Sequence, residues 1–203
     1  MNALKATLLC STLFTLSSYC SQITIRKAEQ NDLPVINKLD HKVMFEHFKP
    51  TIIAGYAAFP IAQDEQLLDS FLNEYIALRK ASFSQAINKT DNANLNLCVA
   101  SDSQKTEKIR GLCVYEKKDK QLYIHHIVVA QKFRGQGIGT LLLTHAIATH
   151  NDITSCELDT LAYANEKVHH FYEKYGFTST KELVTIDPRT PNTHIRYCLD
   201  LKK

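Results

Sequence analysis

The stretch that decides the fold is YIHHIVVAQKFRGQGIG, residues 123–139. Its first half is apolar and β-branched, which predicts a buried strand. Its second half carries glycines at positions 135, 137 and 139 beside Arg134, and an apolar, helix-like run follows. Glycines let backbone N–H groups approach a ligand closely, and a helix adds the positive end of its dipole. The stretch therefore predicts an anion site, suited to a pyrophosphate, between a strand and a helix.

The spacing of these glycines narrows the kind of site. It is Gly-x-Gly-x-Gly, which differs from the dinucleotide pattern Gly-x-Gly-x-x-Gly. It is also not a P-loop, because no Gly-Lys-Ser or Gly-Lys-Thr follows. A flexible link between strand and helix would explain one glycine, but not three beside an arginine.

Composition restricts the class of protein to which this chain can belong. The chain has 203 residues, of which 44% are hydrophobic and 22% are charged, which suits one globular domain with a substantial core. The net charge of +3 is too small to argue for nucleic acid or a membrane surface as a partner. No run of 18 apolar residues occurs, so no membrane span is predicted.

The first 21 residues have a different character from the rest. They hold one lysine and no acidic residue, and Ser18 and Cys20 occupy the −3 and −1 positions of a possible cleavage after Cys20. This pattern is typical of a secretory signal peptide, with a wrongly extended start codon or a disordered tail as alternatives. We expect a domain at 22–203, exported if the leader is functional and cytoplasmic otherwise.

Periodicity along residues 22–203 predicts an α/β fold. Asn31 or Asp32 can cap a first helix that has Pro34 in its first turn, while 45–62 gives a weak signal. The pattern predicts a single mixed sheet flanked by helices. The expected strands are 23–28, 94–101, 109–118, 121–130, 155–162 and 194–202, and later helices are expected at about 67–79, 137–150 and 165–176.

Cysteine and histidine spacing favours no metal site. Four cysteines lie beyond the leader in strand-like segments, and none forms a Cys-x-x-Cys pair. Buried free thiols are the simpler interpretation, and a disulfide across the hairpin is the alternative. The nine histidines lack zinc-ligand spacing, so no metal is predicted. The four cysteines are Cys98, Cys113, Cys156 and Cys198, of which Cys98 and Cys113 would form the disulfide.

Two motifs in the same order resemble the GNAT superfamily of N-acetyltransferases. VVAQKFRGQGIGTLLL is similar to the family signature Arg/Gln-x-x-Gly-x-Gly, and a second element follows as an asparagine, then Phe-Tyr and Gly-Phe at the end of a helix. The opening ITIRKAEQNDLPVINKL resembles the first strand and helix of the family, so the likeness covers about 23–200. The motif residues are Arg134, Gly137 and Gly139, then Asn165, Phe171, Tyr172, Gly176 and Phe177.

The resemblance implies the GNAT acyl-CoA N-acyltransferase fold, with a mostly antiparallel sheet and acetyl-CoA as co-substrate. In this family the glycine loop holds the pyrophosphate, and the preceding strand pairs with the pantetheine arm. Gln131 stands where many members have proline, and 45–92 gives no match in the region that builds the acceptor pocket. The implied cofactor-binding residues are Ile127, Val128, Val129, Arg134, Gly135, Gln136, Gly137, Ile138, Gly139, Thr140, Asn165 and Tyr172.

The resemblance also suggests an acid and a base for attack of an amine on a thioester. His125 lies where family members often carry a basic Glu or His, and Tyr172 matches the residue that protonates the coenzyme A thiolate. Because adjacent strand residues face opposite sides, only one of His125 and His126 is expected to face the cleft, and the alignment favours His125. The alternative is that both histidines only pack or bind polar groups. Asn165 either contacts the pantetheine or caps its helix.

The sequence therefore predicts an N-acetyltransferase that transfers an acetyl group from acetyl-CoA to a primary amine of a small molecule or protein. A non-catalytic acyl-CoA-binding module is one alternative, which the presence of both an acid and a base disfavours. An exported effector that acetylates a host protein is another, suggested only by the leader. The expected partner is an amine acceptor, with no nucleic acid, and the expected assembly is a monomer or homodimer.

Overall fold

The computed structural model of the chain describes residues 23–55, 60–89, 94–103, 108–163, 166–185 and 194–202. The strands are β1 (Ile23–Lys27), β2 (Leu95–Asp102), β3 (Ile109–Lys118), β4 (Gln121–Val129), β5 (Ser155–Leu161), β6 (Thr178–Val184) and β7 (His194–Asp200). The α-helices are α1 (Leu33–Val43), α2 (Lys49–Gly55), α3 (Pro60–Gln63), α4 (Glu65–Asn88), α5 (Ile138–Ala148) and α6 (Glu166–Tyr175). Single 3₁₀ turns lie at Gln30–Asp32 and Gln131–Phe133, and a π-helical turn, Met44–Phe48, joins α1 to α2.

The seven strands form one sheet in the order β1-β2-β3-β4-β5-β7-β6. The β4–β5 pair is parallel, and the other five neighbouring pairs are antiparallel. The prediction of a single mixed, mostly antiparallel sheet is therefore confirmed. No helix in the described ranges is long and apolar enough to cross a membrane.

Helices cover both faces of the sheet. On one face, α5 and α6 pack over a core that includes Leu122, Ile124 and Leu142. On the opposite face, α1 and α4 pack over a core that includes Val114 and Val128. Because the central strands are buried on both sides, their sequences are nearly continuous apolar runs rather than alternating ones.

The helix ends follow local sequence signals. Pro34 lies in the first turn of α1, as predicted, where its missing N–H removes no helical hydrogen bond. The Asp64 side chain caps α4 by accepting from the N–H groups of Gln66 and Leu67, at 2.9 and 3.0 Å. This helix runs well past the predicted 67–79, because its second half packs Phe83 and Ala86 against the sheet.

The segment 45–62, which gave a weak signal, is helical wherever it is described. The π-helical turn inserts an extra residue per turn, and this shifts the apolar positions away from a 3.6-residue period. Met44 and Ile52 still reach a third core, which they share with α4 and with Leu161 at the end of β5. The segment thus lies beside the carboxyl end of β5.

The centre of the sheet opens between β4 and β5. The two strands pair only as far as Ile124 and Leu158, although each continues beyond that point. At the same place the register of β4 against β3 shifts, since Ile124 lies opposite Tyr115 while His126 lies opposite Val114. His125 is therefore the extra residue of a β-bulge. The bulge and the opening together create the cleft in which the candidate site lies.

Candidate active site

The loop after β4 presents backbone N–H groups to the cleft. The loop is anchored by two contacts, since Ala130 N–H donates to Arg110 O at 2.9 Å and the Phe133 ring lies 4.6 Å from the Arg110 guanidinium carbon. Gly135 and Gly137 have φ angles of +75° and +79°, in the left-handed region that favours glycine. The positive φ angles explain why the turn needs glycine at these two positions.

The first turn of α5 has no side-chain cap. Gly137 occupies the N-cap position and has no side chain to accept from the amides that follow. The first intrahelical bond runs from Leu141 N–H to Gly137 O at 3.0 Å, so the amides of Ile138, Gly139 and Thr140 have no acceptor within the helix. A helix start of this kind binds anions through its N–H groups and its dipole.

The side chains of the loop divide between the cleft and the core. Arg134 donates from Nε to Val129 O at 3.1 Å, which holds the guanidinium beside the loop. Partial burial lowers the pKa of Arg134, which remains charged at neutral pH because arginine titrates above pH 12. The Ile138 side chain is buried in the core beneath α5, so only its backbone can contact a ligand.

The third glycine has a packing role. A Cβ atom on Gly139 would lie 3.3 Å from the Phe171 ring, closer than side-chain carbons normally approach. Gly139 therefore allows α5 and α6 to pack closely. The sequence pattern grouped Gly139 with the ligand-binding positions, and that role would use its backbone N–H. The absence of a side chain explains the close contact between the helices.

The alternation of side chains expected along a strand is interrupted at the two histidines. His125 and His126 both line a cavity of about 210 Å³ on the α4 side of the sheet, with Glu116 as a further lining residue. The bulge at His125 is the reason, because an extra residue interrupts the alternation of side chains along a strand. The choice between the histidines therefore rests on their hydrogen bonds.

His126 is held as a neutral hydrogen-bond acceptor. Its Nδ1 lies 2.5 Å from Nη1 of Arg79, and a guanidinium only donates. The Arg79 side chain is in turn paired with Asp40, which accepts from Nε at 2.9 and 3.1 Å, and both side chains are buried. Burial, followed by the charge of Arg79, lowers the pKa of His126 well below 6.5. This arrangement leaves His126 unable to accept a proton at Nδ1.

His125 has a different environment. Its Nε2 lies 3.1 Å from Oε2 of Glu116, and the two side chains are 32% and 28% exposed. Its ring also meets the Tyr123 ring edge-on, at 4.9 Å between centroids. His125 therefore lies partly exposed beside a carboxylate, whereas His126 lies beside a guanidinium.

Tyr172 approaches the sheet from the opposite face. It lies on α6, partly buried against the core that contains Cys113 and Cys156, and its ring packs 5.0 Å from Phe171. Among the described residues, none accepts a hydrogen bond from its hydroxyl. Burial raises the pKa of Tyr172, followed by the nearby thiols, so the phenol stays protonated at neutral pH. The hydroxyl is a suitable proton donor.

The end of β4 supplies an open backbone edge. Ile127, Val128 and Val129 lie beyond the last residue that pairs with β5, so their edge on the β5 side borders the cleft. The side chains of Ile127 and Val129 pack towards α5 and α6, and that of Val128 packs towards α1 and α4. Asn165, the remaining predicted cofactor contact, lies outside the described residues.

A second polar cluster lies across the opening and has no signal in the sequence. Asp159 on β5 accepts from the Tyr123 hydroxyl at 2.7 Å and from Nε of Arg196 at 3.0 Å. The three residues come from β4, β5 and β7, and at least 36 residues separate each donor from Asp159. The sequence also gave no signal for Glu116, Asp40 and Arg79. Each of them contacts its partner only in the folded protein.

No group of three His, Cys, Asp or Glu side chains in the described ranges could hold a metal. Cys98 and Cys113 are directly opposite each other on β2 and β3, and all four described cysteines are free thiols.

One protein-family model matches part of the chain. Residues 93–179 match the family model described as an acetyltransferase (GNAT) domain, which spans β2 to the start of β6. No curated protein matches the sequence significantly.

Solved structures share the fold over nearly the whole chain. The PaiA N-acetyltransferase from Thermoplasma acidophilum, in complex with coenzyme A, has 19% identity and a TM-score of 0.62, and covers 88% of this chain and 98% of its own. Spermidine N-acetyltransferase from Vibrio cholerae, with coenzyme A and spermine, has 21% identity and a TM-score of 0.56, with 90% and 98% covered. NAA60 from Arabidopsis thaliana, with a bisubstrate analogue, has 13% identity and a TM-score of 0.59, with 88% and 97% covered.

Proposed function

We propose that this chain is a GNAT acetyltransferase, because its residues 93–179 match the model of that domain, and that it transfers the acetyl group of acetyl-CoA to a primary amine. One observation carries the proposal. The sheet opens between β4 and β5 directly beside an uncapped helix start, with a basic side chain on one face and a phenol on the other. A thioester in this opening meets both groups that aminolysis needs.

Acetyl-CoA enters along the loop and the end of β4. The amides of the first turn of α5, with Arg134, bind the pyrophosphate through charge-assisted hydrogen bonds. The open edge of 127–129 pairs with the amides of the pantetheine arm. These contacts direct the acetyl group towards the bulge at His125.

His125 is the base for the amine. The acceptor arrives as an ammonium ion, and its N–H bond must break before nitrogen can attack the carbonyl carbon. The lone pair of a neutral imidazole forms the new N–H bond, directly or through one water, while the nitrogen keeps its electron pair. His126 does not take this role, because Arg79 already occupies its Nδ1.

Tyr172 is the acid for the leaving group. When the tetrahedral intermediate collapses, the C–S bond breaks and the electron pair goes to sulfur. The phenol donates its proton to that thiolate and later regains one from solvent. The raised pKa of Tyr172 keeps the proton in place until the thiolate forms.

Positioning contributes more than proton transfer in this scheme. Holding amine and thioester together offsets about 7–11 kcal/mol of the barrier. Each proton-transfer group contributes about 10²- to 10⁴-fold, or roughly 3–5 kcal/mol. Loss of His125 should therefore slow the enzyme without abolishing turnover.

The acceptor is a small molecule or a protein. The structural neighbours include a spermidine N-acetyltransferase and NAA60, and the identity of 21% and 13% carries the fold rather than the acceptor. A screen of amines with the purified protein, following release of the coenzyme A thiol, tests the function. His125→Ala and Tyr172→Phe should both slow any turnover that is found. Tight binding of acetyl-CoA with no turnover of any amine would instead support a non-catalytic acyl-CoA-binding module.

The N-terminal segment 1–21 supports a separate proposal about where in the cell the protein is found. Residues 1–21 have the composition of a cleavable signal, and cleavage would leave a protein that begins at Ser21. N-terminal mass spectrometry of the protein from its native cell decides this. An intact Met1 in a cytosolic fraction would contradict export.

A further inference from the structure

We propose that Glu116 is a positioning residue that orients His125 and stabilises its protonated form during acetyl transfer. The inference rests on the proposed function, in which His125 is the base. It goes further, because it assigns a role to a side chain that no motif marks. Glu116 acts through His125 and does not touch the acceptor or the thioester.

The contact follows from the strand register. Glu116 on β3 lies opposite Tyr123 on β4, two residues before the bulge. The bulge turns His125 towards the α4 face, where the Glu116 carboxylate is also found, and it brings Nε2 within 3.1 Å of Oε2. Without the extra residue, the alternation along β4 would differ, and His125 and His126 would not both line this cavity.

The contact selects one tautomer of His125. A carboxylate only accepts hydrogen bonds, so the proton of neutral His125 lies on Nε2 and the lone pair lies on Nδ1. Neutral His126 next to it is also the Nε2–H tautomer, but its Nδ1 lone pair is already taken by the Arg79 guanidinium and cannot accept a proton. Glu116 thus leaves Nδ1 of His125 free to accept a proton, whereas Arg79 occupies Nδ1 of His126.

The carboxylate also lowers the energy of the charged intermediate. When Nδ1 takes the proton from the ammonium, the N–H bond of the acceptor breaks and an Nδ1–H bond forms. The imidazolium then carries a positive charge beside the negative charge of Glu116, which keeps its own protonation state. The proton can leave through the cavity of about 210 Å³ that both side chains line, which has room for several waters at about 30 Å³ each.

Several other titratable and charged groups surround the pair. The Arg79–Asp40 ion pair contacts His126 rather than His125. The Tyr123 hydroxyl is committed to Asp159. The titratable and charged groups on the elements around the pair are Glu116 on β3, Tyr123 and His126 on β4, Tyr75 and Arg79 on α4, and Asp159 on β5.

Kinetics on an accepted amine test the role of Glu116. Glu116→Gln keeps the size of the side chain and removes its charge, so kcat should fall about 10- to 100-fold, which is less than the full contribution of a proton-transfer group because His125 itself remains. The acetyl-CoA KM should stay within about threefold, and the acid limb of the pH–rate profile should move to lower pH. Glu116→Asp should recover part of the rate. Asp152→Asn, which removes an exposed carboxylate paired with Lys117, is the matched control and should match the parent.

The decisive comparison uses the His125→Ala background. If Glu116 acts through His125, adding Glu116→Gln to His125→Ala should change kcat less than twofold. Equal losses in both backgrounds would overturn the proposal and leave Glu116 as a structural residue.

A spectroscopic measurement gives an answer even if every amine fails in the assay. In ¹⁵N-histidine NMR spectra of the purified protein, neutral His125 should appear as the Nε2–H tautomer. In Glu116→Gln it should lose that preference and take up its second proton at lower pH than in the parent. An unchanged tautomer and an unchanged titration would overturn the proposal, whereas absence of turnover with the expected spectra would count against the proposed function alone.

Discussion

At the scale of single residues, the environment separates side chains that are chemically the same. His125 and His126 are neighbours, yet one lies against a carboxylate and the other accepts from a buried guanidinium. Tyr172 is also set apart, because burial raises its pKa and its hydroxyl is bound by none of the described residues. The reactivity of these residues is therefore decided by partners and not by residue type.

Replacing Tyr172 with Phe should separate chemistry from packing. The ring stays in place against Phe171, and only the hydroxyl is lost. We expect kcat to fall roughly 10- to 1,000-fold, with the acetyl-CoA KM changing less than about threefold, because the hydroxyl acts mainly in the transition state. Steady-state kinetics on a confirmed acceptor measures this. Turnover equal to that of the parent would mean that the thiolate leaves without help from Tyr172.

At the scale of elements, two junctions carry the site. The loop between β4 and α5 supplies backbone N–H groups, and it depends on glycine only where φ is positive. The contact between α1 and α4 supplies the buried Asp40–Arg79 pair that fixes His126. The loop junction thus supplies the proposed binding groups, and the helix junction fixes the orientation of His126.

Gly137 provides a test of the loop. Gly137→Asp puts a negative charge beside the pyrophosphate and forces a side chain into the left-handed region, at a cost of about 1–2 kcal/mol. Gly137→Asn is the matched control, because it shares the backbone strain but lacks the charge. By calorimetric titration, we expect coenzyme A to bind Gly137→Asp at least about tenfold more weakly, or 1.4 kcal/mol, and to bind Gly137→Asn with a smaller loss. Equal affinities in all three proteins would exclude an anion site here.

Asp40 provides a test of the buried ion pair. Asp40→Ala leaves the Arg79 guanidinium buried without its carboxylate, which should lower the free energy of unfolding by about 3–5 kcal/mol. Urea titration with an unchanged m-value would measure the loss. The double variant Asp40→Leu/Arg79→Met removes both charges and should recover much of the stability. A double variant no more stable than Asp40→Ala would show that the cost comes from lost packing.

At the scale of the whole molecule, buried histidines link stability to pH. Burial, and then the charge of Arg79, lowers the pKa of His126 well below 6.5. As the pH falls below about 6.5, this histidine takes up a proton in the unfolded chain but not in the folded chain. The contribution of neutral His126 to stability is therefore complete above that pH and is lost as the pH falls. Burial also lowers the pKa of four other histidines, which act in the same direction; these are His47, His145, His150 and His194.

The free energy of unfolding should accordingly fall between pH 7.5 and pH 5. Each fully titrating histidine contributes a slope of at most about 1.4 kcal/mol per pH unit. His126→Gln can still accept from Arg79 through its amide oxygen but cannot titrate, so the slope should become shallower. Urea unfolding at a series of pH values checks this. A slope identical to that of the parent would mean that His126 takes no part in the pH dependence.

The sequence by itself determined the local features of this protein. The order of six of the seven strands and of the main helices, the glycine turn after β4 and the position of Tyr172 on its helix follow from periodicity, backbone sterics and two short motifs, whereas β6 was not predicted. Such signals lie within about 20 residues, so one chain segment is enough to express them. The helical segment at 45–62 was less clear, because a π-helical turn interrupts the period on which the prediction depends.

Only the tertiary structure decided how the site is completed. The bulge at His125 exists because β3 and β4 pair in a shifted register, and that register places both histidines and Glu116 on one face. The Arg79–Asp40 contact joins residues 39 positions apart. A strand carries no local signal for a one-residue insertion, since the signal lies in the pairing with its neighbour. The contacts of the proposed base were therefore fixed by pairing and packing in the folded protein, while the loop proposed to bind the cofactor was fixed by the local sequence.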